Sequence, residues 1–110
     1  MAKAKKAKNN RRYVVVGNEG YGLYCGYVEA TDAEILAAKA VRLYEARHVR
    51  YWYGGTGGIT SLAAWGPCGS RAKESRIGAP CPSSLITEVR AVHECTDEAR
   101  VAFDAIAATR

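Results

Sequence analysis

The stretch RYVVVGNEGYGLYCGYVEA, residues 12–30, constrains the fold most. RYVVVGNE (12–19) holds a β-branched run that ends in Gly and Asn, which reads as a strand over 12–17. GNEGYG supplies turn residues. GLYCGYVEA (22–30) then alternates, with Leu23, Cys25 and Tyr27 facing one way and Tyr24, Gly26 and Val28 the other. The two runs predict an antiparallel hairpin at the start of the folded chain.

Further strands and short helices follow. TDAEILAAKA (31–40) predicts a helix, with Thr31 and Glu34 at capping-box spacing. VRLYEARHVRYWY (41–53) reads as extended, with a break near Glu45–Ala46. In its second half, strand phase puts Val49, Tyr51 and Tyr53 on a core face and His48, Arg50 and Trp52 on the other. ITSLAAW (59–65) predicts a helix capped by Thr56 or Thr60 and stopped by Gly66-Pro67, with Trp65 packed at its end. Residues 66–83 hold all three prolines and read as a long loop. SLITEVRAVHEC (84–95) reads as one strand, in which Arg90 needs solvent or a partner. Thr96 then caps a helix over 97–107, with an apolar face from Val101, Ala105 and Ala108 or from Phe103 and Ile106. The expected class is α+β: a small, mostly antiparallel sheet with two or three short helices. A chain of 110 residues makes one domain with a thin core, so an oligomer, dimer or higher, is expected.

Charge divides the chain. Residues 1–12 carry six cations and no acid, and the remainder holds ten Lys/Arg against eleven Asp/Glu. The basic character thus belongs to a tail, residues 1–11, expected to be disordered, ahead of a near-neutral domain over 12–110. A near-neutral body is a poor general nucleic-acid surface. The tail reads as a weak nucleic-acid contact through residues 1–12, a contact with an acidic partner, or a solubilising arm. No apolar segment follows the basic run and no run reaches membrane-spanning length, which predicts a cytoplasmic protein without membrane contact. Cys25, Cys68, Cys81 and Cys95 form no C-x-x-C pair. A zinc site from Cys68, Cys81, His93 and Cys95 lacks the usual spacing, so free thiols and no metal or cofactor are expected.

YWYGGTGGITS (51–61) is the segment closest to chemistry. Gly54, Gly55, Thr56, Gly57 and Gly58 lie between a predicted strand and a predicted helix, where converging backbone N–H groups hold an anion. A flexible loop is the plain alternative. The segment matches neither nucleotide-binding glycine fingerprint and no lysine follows, which disfavours a nucleoside triphosphatase. Trp52 beside Arg50 is the stacking candidate. Ser70, Arg71, Ser75 and Arg76, in GSRAKESR, look like a polar lid for a phosphate, or else a solvated loop. No triad, metalloprotease or paired-carboxylate motif is present, so a catalytic role is not expected.

With RHVRYWYGG, ITSLAAWGP, SRIGAP and VRAVHECTDEA in that order, residues 12–105 resemble small phage and prophage proteins. More distantly, the layout is similar to phage anti-Thoeris and anti-CBASS sponge proteins. That resemblance implies an oligomeric protein that binds a nucleotide immune signal, of cyclic ADP-ribose or cyclic oligonucleotide type, without cleaving it. It implies this use for Arg50, Trp52, the glycines, Arg71 and Arg76. A phage accessory or assembly protein acting through the tail is the alternative.

Overall fold

The computed structural model describes residues 11–19, 22–53 and 58–109. Six strands and three α-helices follow in the order β1 (Arg12–Asn18), β2 (Gly22–Val28), α1 (Asp32–Ala38), β3 (Ala40–Tyr51), α2 (Ile59–Trp65), β4 (Arg76–Ile77), β5 (Cys81–Thr87), β6 (Val89–Glu94) and α3 (Asp97–Asp104). The sheet order is β4-β3-β2-β1-β6, with β5 paired to β3 beside β4, and every pairing is antiparallel. The α+β expectation holds. Among the described residues no helix is long and apolar enough to cross a membrane.

The triple valine of β1 is explained by burial on both faces, which favours a continuous apolar run over strict alternation. Tyr13 and Val15 join Cys25, Val49, Ile77 and Phe103 in one core, which α2 and α3 cover. Val14 and Val16 join Val28, Val41, Leu43, Ala46 and Ile86 in the other, together with Ile35 of α1. The hairpin follows the expected phase, with Val15 opposite Cys25. Thr31 and Glu34 close the capping box of α1. The break expected near Glu45–Ala46 is a bulge inside one strand: Glu45 has φ 55°, and the β2–β3 register shifts there.

The run expected as one strand over 84–95 is two, separated by Glu88 at φ 52°. This left-handed corner is held from outside, since Glu88 accepts from the Glu19 N–H and the Val89 N–H donates to Lys39. It carries the chain from β5, against β3, to β6, against β1, so the sheet coils around the second core. The expected loop over 66–83 also has structure: a 3-10 turn at Ala72–Glu74, then β4 and the start of β5. α2 has the expected bounds, but its N-cap is Gly58 with no side-chain cap, and Thr60 lies within the helix. Its stop is Gly66, at φ 70°, where a Cβ would lie 2.7 Å from the Ala102 Cβ and 2.8 Å from the Ala99 carbonyl of α3. Trp65 is exposed rather than packed.

Thr96 caps α3 through the Ala99 N–H and donates its own hydroxyl to the Ala64 carbonyl of α2. α3 ends at Asp104, short of 107. It buries Ala99 and Phe103, with Ile106 just beyond, while Val101 is exposed. Of the basic run, residues 1–10 lie outside the described residues, and its last two arginines belong to the body. Arg11 pairs with Glu29 and lies 4.3 Å over the Tyr44 ring. Arg12 reaches Asp32, Glu94 and the Ala30 carbonyl. Arg90 finds its partner in Glu19.

Candidate functional site

The end of β3 does not keep strand phase. Val49 pairs with Ile77 but Tyr51 pairs with Arg76, so two residues of β3 face one of β4 around Arg50. Such a bulge turns the following side chains to the opposite face. Trp52 therefore packs, half-buried, against the Tyr13–Val15–Phe103 core, while Tyr51 is exposed and forms a pair with Tyr53. This inverts the sequence assignment, which sent the tyrosines inward and left Trp52 free beside Arg50.

Tyr53 is the fixed point of the cluster that results. Its N–H donates to the Ser75 hydroxyl at 3.0 Å, and its carbonyl accepts from the Cys68 N–H at 3.0 Å. The two phenols hydrogen-bond at 2.6 Å, with ring centroids 5.0 Å apart at 75°. That bond raises the Tyr53 phenol above its ordinary range. The 3-10 turn brings Arg71 back over Tyr53, its guanidinium 4.1 Å from the ring centroid. Two bonds to Glu74, at 2.7 and 3.1 Å, hold Arg71 there. The same bonds lower the Glu74 carboxyl and raise the guanidinium. Tyr51, Tyr53, Lys73, Glu74, Ser75 and Arg76 line an open hollow of about 440 Å³, together with Thr109, whose N–H donates to the Ile77 carbonyl.

Of the residues singled out from sequence, Ser75 and Arg76 line the hollow, and Arg71 lies beside it over the Tyr53 ring. Ser75 is buried, and its oxygen already holds the Tyr53 N–H, so its part is to build the wall. Arg50 and Trp52 do not line the hollow. Ser70 is exposed in the preceding turn, and Gly58 is the N-cap of a helix only seven residues long. Gly54, Gly55, Thr56 and Gly57 lie outside the described residues. Sequence reasoning missed Tyr51, Tyr53, Lys73 and Glu74 as site residues. The Arg71–Glu74 spacing was a readable signal, because i, i+3 suits one tight turn; the bulge left no local mark.

Arg47 supports this end of the sheet from below. It is buried and donates to the carbonyls of Gly78 and Phe103 at 2.7 Å, Ile106 at 2.8 Å and Ile77 at 3.4 Å. Carbonyls at a helix C-terminus carry partial negative charge and accept a cation well.

A family model described as a domain of unknown function, DUF6948, matches residues 11–103. The chain belongs to this family. The DUF6948 match begins at Arg11, the first described residue whose side chain pairs with the body, and contains every residue of the hollow except Thr109. No curated protein and no solved structure matches the chain.

Two of the four cysteines share the first core. Cys25 and Cys95 sit in and against the core, where burial pushes their thiols up to about 11 and about 12. Cys81 is exposed, and hydrogen bonds from the Ser84 side chain and the Ser83 backbone lower its thiol. Among the described residues no group of three or more His, Cys, Asp or Glu side chains is placed to hold a metal ion.

Proposed function

We propose that the chain binds a small phosphorylated nucleotide at the hollow lined by Tyr51, Tyr53 and Arg76, with Arg71 beside it, and retains it without transforming it. One observation carries this reading: Arg71 lies over the Tyr53 ring while Arg76 sits across the strand pair from Tyr51. Aromatic faces and the Arg76 cation thus share one concavity, with Arg71 stacked on Tyr53 beside it. The Arg71–Glu74 pair is open to solvent on both sides, and exposed pairs of this kind contribute little to stability. A phosphate can therefore take Arg71 from Glu74 at small cost, freeing the Tyr53 face for a base. The lining holds no imidazole or thiol, and before a ligand enters Arg71 holds its one carboxyl below the usual range. These groups suit holding a ligand better than proton transfer.

The resemblance to phage sponge proteins supports a biological use: sequestering a nucleotide immune signal, of cyclic ADP-ribose or cyclic oligonucleotide type, in the host cytosol. The acting unit is taken as an oligomer, because so small a domain gains core by association. The rival reading, nucleic-acid contact through residues 1–12, loses force because Arg11 and Arg12 are already paired with carboxylates.

The test is calorimetric titration with a panel of mononucleotides, cyclic ADP-ribose isomers and cyclic dinucleotides, followed by heat release and chromatography. At least one compound is expected to bind and to return intact. Tyr53→Ala and Arg76→Ala should each weaken it about 5- to 150-fold, the range of a lost stack or charge-assisted contact. Tyr53→Phe, which keeps the ring, should bind nearly as the parent does. If every compound stays free, the proposal fails; a converted product would point to an enzyme.

A further inference from the structure

The opposite edge of the sheet carries a second feature, independent of the nucleotide reading. β6 pairs with β1 and, among the described residues, with no other strand. The Cys95 N–H donates to Tyr13 at 2.8 Å, continuing the register in which His93 faces Val15 and Ala91 faces Gly17. In an antiparallel ladder, hydrogen-bonded pairs alternate with non-bonded ones. Cys95, His93 and Ala91 therefore turn their backbone groups toward β1, and Val92 and Glu94 turn theirs outward, while Arg90 is the extra residue of a bulge where the register shifts between Gly17 and Asn18.

The side chains along this edge are self-complementary. A two-fold axis through Val92 lays a second β6 antiparallel on the first, with Val92 facing its own copy. Arg90 then faces Glu94 of the other chain, twice. In this register Val92 meets its copy as a hydrogen-bonded pair, which gives two new main-chain hydrogen bonds at the centre, and Ala91 meets His93 of the other chain as a non-bonded pair. Within each chain Arg90 pairs with Glu19 and Glu94 with Arg12, so the new pairs would join two existing ones into an alternating row of charge. Beside the edge runs a groove of about 610 Å³ between α1 and β6, with Leu36, Val89 and Val92 among its walls. Leu36 is 78% exposed. A bare edge next to exposed apolar side chains is the sheet feature that proteins ordinarily cover or charge-block.

We propose that β6 is a homodimer interface, in which two copies join their sheets edge to edge about a two-fold axis at Val92, with Arg90 of each chain paired to Glu94 of the other. Two single variants and their mixture test it, measured on the full chain by analytical ultracentrifugation. The wild-type protein is expected to be dimeric at tens of micromolar. Arg90→Glu sets carboxylate against carboxylate at both ends of the joined strands, and Glu94→Arg sets guanidinium against guanidinium. Each alone should raise the dimer dissociation constant at least tenfold while the circular dichroism spectrum stays native. Mixed in equal amounts, the two variants place carboxylates opposite guanidinium groups at both ends and should form a heterodimer. A monomeric wild-type protein at 100 µM overturns the proposal, as do single variants that dimerise like the parent. A mixture that stays monomeric also overturns it and points to a heterologous peptide as the strand this edge receives.

Discussion

Replacing Arg47 with Met tests how the site end of the sheet is held. The guanidinium bridges β3 to the segment after β4 and to the end of α3 through four carbonyls. Two of them keep a partner when it is gone, because Phe103 also accepts the Ile106 N–H and Ile77 the Thr109 N–H. Gly78 and Ile106 lose the donor that Arg47 supplies. An unpaired buried carbonyl costs about 1–3 kcal/mol, and a half-buried one that water reaches costs less. Methionine also removes a buried charge, which returns part of that loss. The balance is a destabilisation of about 2–4 kcal/mol, a large share of the roughly 5–15 kcal/mol typical of a domain. Urea unfolding followed by the fluorescence of Trp52 and Trp65 measures it, and the melting temperature should fall by at least about 10 °C. Arg47→Lys keeps the charge but has no fork to span the carbonyls, so it should fall between the two. A methionine variant as stable as the parent would refute the reasoning, because burying the charge would then cost as much as its four bonds contribute. Since Ile77 and Gly78 directly follow Arg76, the variant should also loosen the hollow.

Gly66→Ala should destabilise by about 3 kcal/mol or more in the same urea assay, combining a backbone conformation reserved for glycine with overlap against Ala99 and Ala102 of α3. Stability should fall as pH rises above about 9. There the unfolded chain loses the Cys25 proton, which the folded chain holds to about 11, giving a slope of about −1.4 kcal/mol per pH unit for this group. Unfolding curves at pH 8, 9, 10 and 11 measure the slope, and Cys25→Ala should make it shallower, leaving the share of Cys95, whose thiol burial holds to about 12.

What the sequence revealed was local. The capping box of α1 lies within four residues, and Thr96 bonds an N–H three positions on, so both helix starts were legible. The hairpin was legible because each strand carries its own periodicity. The corner at Glu88 was not, because glutamate has no preference for a left-handed conformation; Glu19 and Lys39, distant in sequence, hold it there. The same holds for the bulge at Arg50, which exists only against β4. That one residue of slip explains why the aromatic–arginine cluster was anticipated in kind but assigned to Trp52 rather than to Tyr51 and Tyr53. Arg47 gave no signal, since its partners are carbonyls 30 or more positions away.

The return of β6 to β1 also bears on synthesis. β1 receives its second neighbour only when residues 89–94 arrive, about 75 residues after its own end. At roughly 5–20 residues per second, a nascent chain holds that edge open for about 4–15 s. Throughout that interval three consecutive valines lie beside an unpaired ladder, an arrangement prone to joining a neighbouring chain. The lysines at positions 3, 5, 6 and 8 precede this strand on the polypeptide, and like charge there is expected to oppose such a neighbour. A ribosome-arrested chain ending at Glu88 should therefore sediment with aggregates far more when those lysines are replaced by serine.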